Sequence, residues 1–335
     1  MTGNISDRQT ILFCGPIDQP LNSGRYMISG MQQLGFEVIG YDYRSHENYE
    51  KDLRDIVRNR KPDYVFTLKG EKISPQLIED FKQTGCKTIL WLTTSILEDW
   101  MPSFAKANDY VVTNTEDMQT LFTRHGVKKI KWITQGFAPD FFGITGPESG
   151  KKNPYYAQTA MIGSMGYPIY KKRCELVTLL RKNDVDIKWW GPRLARQIKN
   201  IPFFLGGVHR SWAGKEVYMK DFADVIRNVK IFIGQDADIP VSGLYLSNRI
   251  FAVTGCGGFY LGRKTPGIEA AFEIGKEVDV FESDAELLEK IKFYLQNEDQ
   301  RAQIALAGQK KVLTHYTYKQ QIKKIFDWIS ENEQE

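Results

Sequence analysis

Residues 61–93 run KPDYVFTLKGEKISPQLIEDFKQTGCKTILWLT. Two short apolar runs, DYVFTL (63–68) and KTILWLT (87–93), flank a segment at 75–84 whose apolar residues recur at helical spacing. Gly85 closes that segment, and Lys61-Pro62 stops whatever helix precedes the first run. Strand, amphipathic helix and strand in quick succession predict a parallel pair joined by a crossover helix.

The same alternation extends both ways. Upstream, TILFC (10–14) is a strand followed by Gly15-Pro16, Ser23–Leu34 a helix ended by Gly35, FEVIGYDY (36–43) a strand and 47–59 a helix. Downstream, DYVVTN (109–114) and KIKWI (129–133) are strands, with a helix over 115–125 ended by Gly126. Ligands of such sheets bind beyond the carboxyl ends of the strands. The loops after 14, 43, 68, 93 and 114 are therefore expected to line one cleft. GITGPESGKKNP (143–154) is rich in Gly, Pro and charge and predicts a linker. A second series follows: strands at 157–163, 186–191, 229–234 and 257–262, helices at Tyr170–Lys182 and about 246–254, and closing helices at 284–296, 298–312 and 316–331. The expected fold class is α/β, with domains at 1–148 and 149–314 and a final helix over 315–335.

A length of 335 residues suits two domains. At 42% apolar and 26% charged residues, the chain has the composition of an ordinary globular protein. Four scattered cysteines, Cys14, Cys86, Cys174 and Cys256, form no CxxC pair, which argues against both a disulfide scaffold and a zinc site. The first eight residues lack the apolar core of a signal peptide, and no run reaches the roughly 18 residues of a membrane span. The expected location is cytoplasmic, with peripheral membrane contact left open. The net charge of +4 is unevenly placed: residues 1–150 hold 17 basic and 19 acidic side chains, whereas 151–232 hold 16 and 6. That excess suits an anionic ligand or simply a solvated face. Nucleic acid is not the expected partner, although the basic stretch permits it.

No GxGxxG follows the first strand, and there is no GxxxxGK[ST], GxSxG or paired-histidine motif. What remains are glycines and polar residues at strand ends. Gly163-Ser164 lies at a strand-to-helix turn, where a glycine lets backbone approach a ligand and the helix start offers free N–H groups. In GLYLSNRIFAVTGCGG (243–258), Ser247 or Asn248 can cap a helix, which puts Arg249 in its first turn. The helix dipole disfavours a cation there. Either Arg249 shares an anion such as a pyrophosphate with the backbone N–H groups, or it turns outward to a surface carboxylate. Trp189-Trp190 precede Gly191-Pro192, where a nucleobase could stack or a core could pack. In the first half, Asp18 and Glu71 are the carboxylates best placed as a general base, the alternative for each being a cap or an exposed loop charge.

The segment SNRIFAVTGCGGFYLGRKTPGIEAAFEIG…DAELLEKI…THYTYKQQIKKIFDWI resembles the closing part of the glycosyltransferase group-1-like families that include the CgeB spore-maturation proteins. In the first half, Lys61-Pro-Asp63, Lys69-Gly70, Asp109-Tyr-Val-Val-Thr and Gly136-Phe-Ala-Pro-Asp140 follow the same order. The resemblance implies a GT-B fold, two facing Rossmann-like domains whose C-terminal helix crosses back to the first. It implies a hexosyltransferase that takes a nucleotide-diphosphate sugar, such as a UDP-sugar, as co-substrate and a glycan, glycosylated metabolite or macromolecule as acceptor, with no metal and no other cofactor. It places Gly163 and Ser164 at the first turn, Ser247, Asn248 and Arg249 at the diphosphate, Thr254 and Gly255 on the helix behind, and Arg173, with Lys172, as further diphosphate candidates. It departs from the pattern at Ala252, where these families carry a ribose-holding Glu, and at Leu244, where a partner acid would fall. Gln235, Glu269 or Glu273 would then hold the ribose, or the chain binds nucleotide-sugar without catalysis.

Overall fold

The computed structural model describes residues 9–18, 23–143, 154–238 and 243–334; nearly all of the linker expected at 143–154 lies outside them. The chain divides into two compact units. One is Met1–Ala138 with Val241–Leu246 and Thr317–Glu335, the other Pro139–Pro240 with Ser247–Tyr316.

The first unit is built on six strands: β1 (Thr10–Cys14), β2 (Glu37–Tyr41), β3 (Tyr64–Leu68), β4 (Lys87–Leu92), β5 (Tyr110–Thr113) and β6 (Ile130–Trp132). All pairings are parallel, in the order β2-β1-β3-β4-β5-β6, with Ile11 opposite Tyr64 and Tyr64 opposite Lys87. A parallel sheet is covered on both faces, so its inner strands must be apolar throughout. All five residues of β3 are buried, whereas the edge strand β2 is only partly so. The crossovers are α1 (Gly24–Gln33), α2 (Tyr49–Arg60), α3 (Pro75–Lys82), α4 (Met101–Ala107) and α5 (Glu116–Arg124). α5 shows how local chemistry sets the ends. Thr115 Oγ1 accepts from Met118 N at 3.1 Å, and Gly126, at φ +84°, lets Val127 N reach Phe122 O at 3.0 Å. The final helix, Tyr318–Gln334, belongs to this unit and packs on α1. The Tyr26 and Tyr318 rings lie 5.8 Å apart, and a Cβ on Gly30 would sit 3.0 Å from Lys319 N.

The second unit opens with α6 (Pro139–Phe142), followed by β7 (Ala157–Ile162), α7 (Lys171–Lys182), β8 (Ile187–Trp190), α8 (Ile201–Leu205), α9 (Met219–Asn228), β9 (Val229–Gly234), α10 (Asn248–Gly255), β10 (Tyr260–Arg263), α11 (Pro266–Ala271), β11 (Asp279–Phe281), α12 (Asp284–Gln296) and α13 (Glu298–His315). Its five strands are parallel in the order β11-β10-β9-β7-β8. Several of these elements escape the sequence reading: α4, α6, the helices over 201–228, α11 and β11. Most are short, and Pro102, Pro202, Gly206-Gly207 and Pro266 punctuate them. The strand expected at 257–262 is displaced. Gly257 and Gly258 turn the chain out of α10, and β10 runs from Tyr260 to Arg263.

In each sheet the strand order reverses beside the first strand, between β1 and β3 and between β7 and β9. The crossovers diverge there and leave an opening at the carboxyl edge, the place where open α/β sheets take their ligands.

Candidate functional site

In the second unit Gly163, Ser164, Arg173, Gly191, Gln235 and Arg249 come together at the β7/β9 switch point. Gly163 follows β7 at φ +133°, and a Cβ there would lie 2.8 Å from Arg249 Nη2 and 3.1 Å from Arg173 Nη1. Two guanidinium groups thus meet over a turn that has no side chain. Their commitments differ. Arg173 is buried, and donates from Nε to Gln235 O (2.7 Å) and from Nη1 to Ser164 O (2.9 Å), lacing the loop after β7 to the end of β9. Arg249 has a half-buried side chain whose ionic partner is Asp236, with 3.9 Å between Nη1 and Oδ1. It stands in the first turn of α10, where Ser247 is the cap and its Oγ accepts from Arg249 N at 3.4 Å. Arg249 is therefore the less committed of the two guanidinium groups, and Arg173 clamps the turn. The neighbouring strand end is equally fixed. Gly163 N donates to Trp190 O (2.8 Å) and Trp189 Nε1 to Gly163 O (2.7 Å), and a Cβ on Gly191 would strike Gly163 O at 2.2 Å.

Some expectations change. The helix start after Gly163 does not offer a free N–H at Lys172, because Asp238 Oδ2 accepts that N–H at 2.9 Å. Trp189 and Trp190 are both fully buried, so a nucleobase does not stack on them. Thr254 is buried with its Oγ1 unpartnered, its Cγ2 would lie 2.7 Å from a Cβ on Gly308 of α13, and Gly255 O accepts from Gln309. These two positions pack α10 on α13 and touch no open space. Gln235 Oε1 accepts from Arg263 Nε at 3.0 Å, while Glu269 pairs with Lys264 and Glu273 with Lys276. Asn248 Oδ1 is buried without a partner. Ala252 is buried in α10, and Leu244 belongs to the first unit, where its N–H donates to Glu116 Oε2 and its C=O accepts from Glu116 N. The sequence reading missed Asp236 and Arg263. The run Gly234-Gln235-Asp236 at a strand end was a usable signal, but its pairing with Arg249 depends on how the connection from β9 to α10 folds back.

In the first unit the β1/β3 switch point holds a second polar group. Buried Asp42 accepts from Ile17 N, Asp18 N and Arg44 N, which fixes the loop after β1. The Asp18 side chain is exposed, and its carboxylate has no partner among the described residues. Glu71 is held by Arg44 Nε at 2.5 Å and by Tyr43 Oη at 2.8 Å. Burial pushes its carboxyl up, but the hydrogen bonds from Arg44, its own backbone and Tyr43 outweigh that and hold it below the usual range. Lys69 follows β3 in left-handed backbone, φ +70°. Burial and then the neighbouring Arg44 push its ammonium below the usual lysine range. All four cysteines are free and buried. Among the described residues no cluster of metal-ligating side chains forms, and no helix is long and apolar enough to cross a membrane.

Two Rossmann-like units of parallel strands, each with its opening at a switch point, define the GT-B fold class of the glycosyltransferases. Residues 173–327 match the Glycosyl transferase-like family. The fold is similar to that of Anabaena HepE in complex with UDP-glucose, with a TM-score of 0.66, 12% identity, and coverage of 97% of this chain and 100% of that one. It is also similar to sucrose-phosphate synthase from Thermosynechococcus elongatus (TM-score 0.64, 9% identity, 97% and 100% covered). A third similar structure is the lipopolysaccharide outer core galactosyltransferase WaaB in its apo form (0.59, 10%, 95% and 99%). No curated protein matches the chain.

Proposed function

We propose that the chain is a glycosyltransferase, of the hexosyltransferase kind, that binds a nucleotide-diphosphate sugar on its second unit and transfers the sugar to an acceptor hydroxyl. The observation that carries this reading is Arg249, lightly held by Asp236 in the first turn of α10 and facing the side-chain-free turn at Gly163. Departure of the diphosphate builds negative charge, which the start of α10 and Arg249 stabilise in the role a metal ion plays elsewhere. Gly163 keeps the approach open, Gly191 lets the neighbouring strand end pack against it, and Ser164 and Arg173 hold its shape. When a diphosphate takes Arg249, the Asp236 carboxylate is released to accept ribose hydroxyls, replacing the Glu absent at Ala252. Similarity to HepE, which was crystallised with UDP-glucose, favours a UDP-sugar.

The first unit supplies the acceptor side. Asp18, whose carboxylate has no partner among the described residues, is the general base, and Glu71, tied to Arg44 and Tyr43, positions rather than abstracts. Arg44 and Lys69 favour an acceptor that carries negative charge near the reacting hydroxyl. The ordered motifs of the sequence favour the CgeB-like branch of the group-1-like families. A cytoplasmic site of action fits a nucleotide-sugar donor.

The test is release of nucleoside diphosphate from a panel of UDP-, GDP- and dTDP-sugars with glycan acceptors. Turnover is expected with one base class, with Asp18→Asn lowering kcat by at least about 100-fold and Asp236→Asn raising the donor KM. Absence of both binding and turnover across the panel contradicts the reading. Tight donor binding with no turnover instead supports the non-catalytic nucleotide-sugar-binding protein that Ala252 suggests.

A further inference from the structure

Ile198 and Leu205 are each 84% exposed, the most exposed large apolar side chains among the described residues, and Ile201 is 50% exposed. They belong to one excursion between β8 and α9, a 3-10 turn at Ile198–Asn200 running straight into α8. Spacings of three and four put all three on one face. That face borders a groove of about 430 Å³ lined by Arg196, Gln197, Ile198, Ile201 and Phe204. The stripe is held outward by anchors on its other side. Asn200 is fully buried, its Oδ1 accepting from Tyr167 N (3.0 Å) and its Nδ2 donating to Ala195 O (2.9 Å), and buried Phe203 stacks on Tyr167 at 6.0 Å.

Charge sets the partner. Residues 187–215 contain six cations and neither Asp nor Glu. Arg193, Arg196, Lys199 and Arg210 are exposed, and Arg196, Lys199 and Arg210 pair with no carboxylate among the described residues. A specific protein partner asks for a broad interface with aromatic anchors, yet Trp189, Trp190, Phe203, Phe204 and Trp212 are all buried or half-buried. A few aliphatic side chains ringed by cations suit shallow insertion between anionic headgroups, two weak signals acting together.

We propose that the face formed by Ile198, Ile201 and Leu205 with Arg196 and Lys199 docks the protein on an anionic lipid surface. This does not depend on the transferase reading. The experiment is co-sedimentation of the full chain with phosphatidylglycerol/phosphatidylcholine vesicles and with phosphatidylcholine alone. Pelleting is expected on the anionic vesicles only, weakening as salt rises. The double variant Ile198→Ser, Leu205→Ser should lose at least about tenfold in affinity, and Arg196→Gln or Lys199→Gln about fivefold each, with circular dichroism and thermal unfolding unchanged because these side chains are exposed. Three outcomes overturn the proposal: no pelleting, equal pelleting on neutral vesicles, or variants that pellet like the parent. Self-association without lipid that the double variant abolishes also overturns it, by assigning the face to a second copy of the chain.

Discussion

Gly163 decides what can come close to Arg249. A side chain there faces two obstacles, a backbone conformation at φ +133° and the Arg249 guanidinium 2.8 Å away. Gly163→Ala is expected to cost about 1–3 kcal/mol in denaturant unfolding and to weaken nucleotide binding more than a distant destabilising change would. Parent-like stability and affinity together would contradict the geometry. Glu71 makes a separate prediction about acid. Its folded-state carboxyl lies below the ordinary value of 4.5. The ionised form therefore stabilises the fold above the unfolded value, and that contribution fades as pH falls through the lower folded value. Glu71→Gln should lower the denaturation midpoint at neutral pH and lose less than the parent below about pH 4.5. A variant that tracks the parent across the acid range would show that the Arg44–Glu71 pair contributes nothing. At this scale, Arg249 was legible because a cation in a first helical turn needs a reason. Asp236 was not, since its partner lies 13 positions further on, across the connection from β9 to α10, and no local pattern joins the two.

At the scale of elements, the parallel strands were readable because burial on both faces forces unbroken apolar runs, and β3 and β4 show it plainly. Helix ends were readable where a cap and a glycine coincide, as around α5. The excursion after β8 was not. Its apolar residues include Ile198, Ile201 and Leu205, which face solvent, so their pattern does not mark a core. The final helix makes a prediction of its own. Ile325 is fully buried in the layer that covers the first unit's sheet beside α1. Ile325→Ala is expected to destabilise by about 2–5 kcal/mol, with faster amide exchange in α1 and the strands beneath it. Loss confined to the second unit would show that the helix is anchored elsewhere.

At the scale of the molecule, two units with separate cores divide the labour proposed here, the donor in the second and the acceptor in the first. The fold class was legible from the alternation of strands and helices, and the GT-B structures similar to the chain bear it out. The chemistry was legible only in outline, because the ribose-holding acid of the resembled families is missing at Ala252 and its proposed substitute comes from the tertiary fold. Calorimetric titration of the chain with UDP and with UDP-glucose, for the parent and for Arg249→Ala, tests the central claim most directly. The account predicts binding to the parent and a loss of about 10- to 100-fold in the variant, the worth of a charge-assisted hydrogen-bonded pair. Binding indifferent to Arg249, or no binding of any nucleoside diphosphate, would contradict it.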